Sequence, residues 1–520
     1  MTRLTLSTIS NALPDWIGYI FDFNAPPVVA TRTATNFTFS HAATDSFPGY
    51  KVIVTGTAFT YLNGEPTGGN ITRVVVTNAV NQPIMVLDTF TANTLASDLA
   101  QFATDIFGWS DPYGGGQGSS GYRVWSRVLS GNDLIVGTAG DDEVHQGVNG
   151  GNDTYNMNAG NDWIVGGIGS DTINGGDGSD GITFYNSSYS TGDSAFRGIS
   201  VNMVTGKLID CWGYTDTFTG IEKIEGSRFN DVILGSAGDE KFWGFRGADT
   251  FYGGGGNDFV YYRDDARYGG LRGIIANLET SVVGTTINGT IRDGFGQIDR
   301  IVNIHGVVGT RYNDIFLGSR EADYFSGGEG IDLYNGKGGN DYIDFDARFG
   351  DQTQVGVVVN LKLAANQITN DGYGNIETAI SIEHILGSAF NDRITMTLGN
   401  DTVSGYDGRD TLSGGGGSDH FEWKYASEFV TIDAITDFAA TGVATNIDKL
   451  GFDVSSFVGM TTTLRLVNGT AATIAAGQFV YNTINDTLYW DSDGTGIAAK
   501  VAVVQLLGVN ALSAVNFDLF

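Results

Sequence analysis

Aspartates recur through this chain in steps of nine residues. Asp153, Asp162, Asp171 and Asp180 form one run, and Asp133 and Asp142 precede it with the same step. Three further runs follow: Asp231, Glu240, Asp249 and Asp258; then Asp314, Asp323, Asp332 and Asp341; then Asp392, Asp401, Asp410 and Asp419. Carboxylates are hard anionic oxygens, the donors that calcium takes. Glycines surround them, as in Gly166-Gly167-Ile168-Gly169-Ser170-Asp171 and Gly175-Gly176-Asp177-Gly178-Ser179-Asp180. Glycine reaches backbone angles closed to other residues, so such a turn can be tight and can aim carbonyl oxygens inward. One Asp with several inward carbonyls makes part of a calcium shell, and two stacked turns complete it. Isolated Gly-Asp turns would read as ordinary hairpin connections. These acidic positions keep strict nine-residue steps inside each of the three later blocks, and in the first block two extra residues intervene between Asp142 and Asp153.

The elements that must hold these turns are short. A large apolar residue stands two places after the acid, as in Ile164, Ile173, Phe251, Phe325, Ile343 and Leu412. That spacing suits a brief strand whose middle side chain points into a core. The segments between blocks are related to one another. Gly198 to Met203 matches Gly273 to Leu278 and Gly356 to Leu361, and each leads into an Asn-Asp pair at Asn230-Asp231, Asn313-Asp314 or Asn391-Asp392. Their alternating apolar residues read as strands that continue the same stack, with side loops at 204–220 and 281–297.

The GGxGxDxUx pattern, with U a large apolar residue, resembles the nonapeptide of RTX proteins over residues 131–420. The resemblance implies a calcium-loaded parallel β-roll with two nonapeptides per coil, so that turns 18 residues apart stack on one edge. It implies bridging pairs Asp153 with Asp171, Asp162 with Asp180, Asp231 with Asp249, Asp314 with Asp332 and Asp392 with Asp410. The opposite edge would pair Glu240 with Asp258, Asp323 with Asp341 and Asp401 with Asp419. Two weaker pairs involve Asp133 and Asp142, across an insertion. Each ion would take two carboxylates and several carbonyls, with up to about ten calcium ions in all. Glu240 departs from the pattern by its longer arm.

The expected fold is all-β: a parallel β-roll over 131–420, a small β-rich N-terminal module with one helix over 1–130, and a β-rich capping domain over 421–520. In the module, Tyr50 to Leu62 and Ile71 to Asn78 read as strands, Thr94 to Phe107 as an amphipathic helix, and Tyr113 to Gly121 as a hinge. In the last domain, Ile432 to Phe438 with Asn446 to Leu450, and the Leu488 to Gly494 stretch, resemble the C-terminal domain of serralysin-type exoproteins. Asn516-Phe517-Asp518-Leu519-Phe520 resembles the uncleaved signal read by type I secretion machinery.

Composition sets the class of partner. There are 59 acidic residues against 28 basic, a formal charge of −31. Nucleic acid is excluded as a partner, since phosphate binding needs clustered Lys and Arg. A single cysteine, Cys211, rules out an internal disulfide, and no apolar run is long enough for a membrane span. The N-terminal stretch lacks the apolar core of a cleavable export signal, so export is expected to be read from the other end. HExxH and GxSxG are both absent. Histidines 41, 145, 305, 384 and 420 are scattered, and no catalytic residue is assigned. The reading is an extracellular calcium-binding structural protein of a Gram-negative cell surface, self-associating as a surface layer, filament or matrix, with a cell-surface glycan as a further partner. The alternative is an exoenzyme or carbohydrate-binding adhesin with its site in 1–130 or the side loops.

Overall fold

Three-residue strands alternate with tight turns through most of the chain. The computed structural model describes six strands between residues 3 and 88 by their backbone, then residues 132, 134–137, 139–145, 151–184, 195–345, 355–442 and 446–520. The helix expected over Thr94 to Phe107, the hinge at 113–121 and Asp133 lie outside the described residues. The chain divides into two compact units, Met1–Asp258 and Phe259–Phe520.

In the first unit, Lys51–Leu62 and Glu65–Thr77 form a long antiparallel hairpin. Arg3–Leu6 pairs antiparallel with Pro83–Asp88 and parallel with Leu134–Val136, which joins this sheet to the first strand of the roll. From there two parallel ladders grow. One runs Leu134–Val136, Thr154–Asn156, Thr172–Asn174, Thr215–Thr219. The other runs Glu143–His145, Trp163–Val165, Gly181–Thr183, Lys223–Glu225, Lys241–Trp243. Successive strands pair at a step of 18 wherever two nonapeptides intervene, as Thr154 with Thr172 and Trp163 with Gly181. The segment between the first two blocks is an antiparallel hairpin, Ser200–Asn202, Lys207–Ile209 and Thr215–Thr219. Its first strand then starts the next ladder beside Val232–Leu234 and Thr250–Tyr252.

The second unit repeats the scheme. One ladder runs Phe259–Tyr261, Gly306–Val308, Tyr324–Ser326, Tyr342–Asp344, His384–Leu386, Thr402–Ser404, His420–Trp423, Lys449–Phe452 and Phe517–Leu519, all parallel. Another runs Val358–Asn360, Arg393–Thr395, Thr411–Ser413, Asp433–Ile435, Val501–Leu506. So the strand pairing of the roll carries on through residues 421–520. There the chain adds Gln478–Asn482 and Thr487–Asp491 as an antiparallel pair.

The core follows from the strand period. In a three-residue strand only the middle side chain faces inward. Ile135, Tyr155, Ile164, Ile173, Ile182, Ile224, Ile233, Phe242 and Phe251 fill the first unit and are 0–1% exposed. Phe316, Phe325, Tyr334, Ile343, Ile394 and Leu412 do the same in the second. Phe316 and Tyr334, one coil apart, stack at 5.1 Å between ring centroids. Fully burying one such side chain contributes roughly 1.5–3 kcal/mol. With three residues per strand, that is most of what the apolar core supplies, so the turns must be stabilised by other means.

Candidate calcium-binding turns

Each repeat Asp faces inward at a turn and is fully or almost fully buried: Asp153, Asp162, Asp171, Asp180, Asp231, Asp249, Asp258, Asp314, Asp323, Asp332, Asp341, Asp392, Asp401, Asp410 and Asp419 are all 0–3% exposed, as are Asp142 and Glu240. The turns stack in the pairs expected from the 18-residue step. In each of these pairs the backbone N–H of the first acid donates to the carboxylate of the acid one coil on. Asp153 donates to Asp171 Oδ1 at 2.7 Å, Asp162 to Asp180 at 2.8 Å, Asp231 to Asp249 at 2.8 Å and Glu240 to Asp258 at 3.0 Å. In the second unit, Asp314 donates to Asp332 at 2.7 Å, Asp323 to Asp341 at 2.9 Å, Asp392 to Asp410 at 2.8 Å and Asp401 to Asp419 at 3.1 Å. Across the insertion, Asp142 donates to Asp162 Oδ1 at 2.7 Å.

The ladder runs further than the repeats. Asp171 N–H donates to Asp216 and Asp180 N–H to Glu222, at 2.8 and 2.9 Å. Asp332 and Asp341 donate to Glu377 and Glu383, at 3.1 and 3.0 Å. Asp410 and Asp419 donate to Asp433 and Asp448, both at 2.9 Å. None of these six acids was among the expected site residues, and Glu222, Glu383, Asp433 and Asp448 fall off the nine-residue step. The signal that could have found four of them is a second acid six residues on, at Asp216 and Glu222 and again at Glu377 and Glu383.

Two kinds of turn emerge. In six of them a Ser or Thr four residues before the acid closes the turn onto its own carboxylate. Ser227 serves Asp231, Ser236 serves Glu240, Thr310 serves Asp314, Ser319 serves Asp323, Ser388 serves Asp392 and Thr397 serves Asp401. Glu240 is thus held to its own turn, with its N–H still in the ladder. Where no Ser or Thr stands at that place, six acids keep a carboxylate oxygen buried without a hydrogen-bond partner, Oδ2 of Asp162, Asp171, Asp180, Asp258, Asp341 and Asp410, while Asp332 Oδ2 accepts from the Tyr334 hydroxyl at 3.3 Å. A buried, unpartnered carboxylate oxygen is costly unless a cation meets it.

Electrostatics points the same way. Burial pushes the carboxyls of Asp162, Asp171 and Asp323 from 3.8 up to about 7, and those of Asp216 and Asp341 up to about 8. Asp332, Glu377 and Asp410 are also raised, first by burial and then by their acidic neighbours. Among the described residues no three His, Cys, Asp or Glu side chains gather as a metal cluster. A cation here would therefore take two carboxylates and backbone carbonyls, which is calcium chemistry, with its irregular all-oxygen shell.

The matching profile is that of the RTX calcium-binding nonapeptide repeat, which fits residues 129–145, 148–182, 216–244, 225–260, 244–265, 308–343 and 386–421. The chain carries RTX calcium-binding nonapeptide repeats. Its RTX turns bind calcium, several ions over the repeat region. Among 33 solved chains that match is the extracellular lipase LipA from Serratia marcescens, 13% identical over 98% of this chain and 88% of the lipase, with a TM-score of 0.22. No curated protein matches the chain.

The RTX turn also explains its own glycines. Gly169 has φ of +148°, and a Cβ there would lie 1.5 Å from the Gly151 carbonyl oxygen in the turn stacked beneath it. That close approach is how a carbonyl reaches the space between two turns. Gly169→Ala is expected to force the stacked turns apart, at a cost of about 1–3 kcal/mol. The check is a calcium titration followed by circular dichroism, in which the folding midpoint should move to higher calcium. An unchanged midpoint would show that the turns do not need this contact.

Proposed function

We propose that this RTX protein is exported by type I secretion and works outside a Gram-negative cell as a calcium-folded structural subunit, of a surface layer, filament or matrix, and not as an enzyme. The observation that carries this is the state of the strand edges in the second unit. Among the described residues, Leu466–Asn468 pairs with Gln478–Asn482 on one side, and Phe517–Leu519 pairs with Lys449–Phe452 on one side. An open edge presents unpaired N–H and C=O groups and invites another strand. Exposed apolar side chains concentrate in the same hundred residues: Val430, Val458, Ile484 and Ile497 are each more than four-fifths exposed. A contact between such an edge and a different surface of a second copy does not close on itself, so it builds arrays. The repeat carboxylates, for their part, are committed to the ladder, and the sequence holds neither of the hydrolase motifs sought. Export is supported by the likeness of 421–520 to secreted exoprotein termini. The tail is an ordered strand there, with Asn516 fully buried and its Nδ2 donating to the Ala440 and Asp448 carbonyls at 3.0 and 3.2 Å.

In millimolar calcium the purified protein should form ordered arrays, seen by light scattering and electron microscopy, and in chelator it should be monomeric. Arg465 O and Gly469 N bond the neighbouring strand, so the N–H of Leu466 points away from it. Leu466→Pro should therefore reduce array formation at least tenfold while leaving the calcium-dependent circular dichroism intact. A protein that stays monomeric at high protein and calcium concentrations would overturn the structural reading.

A further inference from the structure

Acidic residues recur once more, outside the nonapeptides. Asp210-Cys211-Trp212-Gly213, Asp293-Gly294-Phe295-Gly296 and Asp371-Gly372-Tyr373-Gly374 share an Asp-x-aromatic-Gly order, and six residues after the Asp stands another acid: Asp216, Asp299 or Glu377. Gly213, Gly296 and Gly374 have φ of 91°, 92° and 98°, so the three turns share a left-handed step. The first Asp closes the turn with one oxygen. Asp210 Oδ1 accepts from the N–H groups of Trp212 and Tyr214 at 3.0 and 2.7 Å. Asp293 Oδ1 accepts from Phe295 and Gln297, and Asp371 Oδ1 from Tyr373 and Asn375.

Turn closure accounts for Oδ1 and leaves Oδ2 of Asp210 unexplained. Asp210 is 0% exposed, and this oxygen has no hydrogen-bond partner. The hairpin register sets Leu208 opposite Asp216 and Ile209 opposite Thr215. Leu208, Asp210 and Asp216 therefore share the inward face. Asp216 is equally buried; its Oδ1 accepts the Asp171 N–H and its Oδ2 is without a partner. Asp171 and Asp210 both lie near enough to Asp216 for their charges to repel it. Arg197 acts on Asp210 from the surface, with its Nε–H given to the Gly198 carbonyl.

We propose that Asp210 and Asp216, with backbone carbonyls completing the shell, hold one further calcium ion at a hairpin that is not a nonapeptide. Two unpartnered, fully buried carboxylate oxygens on one face are what a hard divalent cation needs and what an ion-free interior penalises. The ion ties the hairpin to the last turns of the first block, so the insertion becomes part of the calcium-folded structure. The third hairpin is an internal comparison. Asp371 Oδ2 already accepts the Asn375 Nδ2 at 2.9 Å, so a neutral donor fills the place the cation takes at Asp210.

The test counts ions on the full chain in saturating calcium by native mass spectrometry. Asp210→Asn keeps an oxygen for the Trp212 and Tyr214 N–H groups and should bind one ion fewer than wild type. Asp371→Asn should bind the same number as wild type. An undiminished count for Asp210→Asn overturns the hairpin site. Should that variant fail to fold, wild-type crystals soaked in terbium give a direct reading: anomalous density between Asp210 and Asp216 is expected, and its absence overturns the site. This inference rests on calcium binding by the RTX turns, and the two fail separately, because a wild-type chain binding no calcium would count against the turns themselves.

Discussion

Excess chelator at pH 7.5 will remove most of the β-sheet circular dichroism of the calcium-loaded protein, and added calcium will restore it. The size of the effect follows from the buried acids. A carboxyl raised from 3.8 to about 7, as at Asp171, costs the closed and ion-free roll on the order of 4 kcal/mol at neutral pH. Asp216, Asp323 and Asp341 stand in the same position or worse. A typical domain has only about 5–15 kcal/mol of net stability, so three or four such groups are enough to open it. Each calcium is expected to reverse this by meeting the oxygens that burial leaves without partners, and every site filled at a hundred times its dissociation constant would add about 2.7 kcal/mol. Magnesium should restore far less of the signal, since it demands a regular octahedral shell and holds its water tightly. A β-rich protein that resists heating in excess chelator would sink this account.

The roll itself was legible because its turn chemistry repeats. Nine residues per turn with Asp at a fixed place carried the likeness to RTX nonapeptides, that likeness implied two turns per coil, and the stacked pairs appear at 18 residues, from Asp153 with Asp171 to Asp401 with Asp419. The inward positions Ile164, Phe251, Phe325 and Leu412 were equally plain, because a strand of three residues leaves one inward slot. What stayed hidden was the ladder's continuation. Glu222 follows Asp180 by 42 residues and Asp433 follows Asp410 by 23, so no nine-residue step reaches them. Hairpins of different lengths intervene, and only strand pairing across them, such as Thr172 with Thr217, brings the next acid into line. The hydroxyl-closed turns were hidden for another reason. Ser227 and Ser388 look like ordinary loop residues until their hydroxyls are seen on Asp231 and Asp392.

Acid should partly replace calcium, and this is the sharper test of why the ion is needed. For Asp171 the ordinary value is 3.8 and the value in the roll about 7. The protonated form is thus the one the closed roll prefers. Its contribution to stability is complete below 3.8 and is lost as pH rises from there through about 7. Asp162 and Asp323 follow the same window, and Asp216 and Asp341 extend it to about 8. In chelator, lowering the pH from 8 to 5 should therefore bring back β-sheet signal without any metal, cooperatively, because one proton per turn relieves the repulsion along a whole edge. In calcium the same change should weaken binding, since protons and the ion compete for the same oxygens. The measurement is circular dichroism against pH in chelator and in saturating calcium, at low protein concentration because the sequence pI is about 4.2. The two curves should converge toward pH 5 and part above 7. Ion-free protein that remains equally unfolded at pH 5 and pH 8 would mean that carboxylate repulsion and desolvation are not what hold the roll open, and that calcium acts by geometry alone.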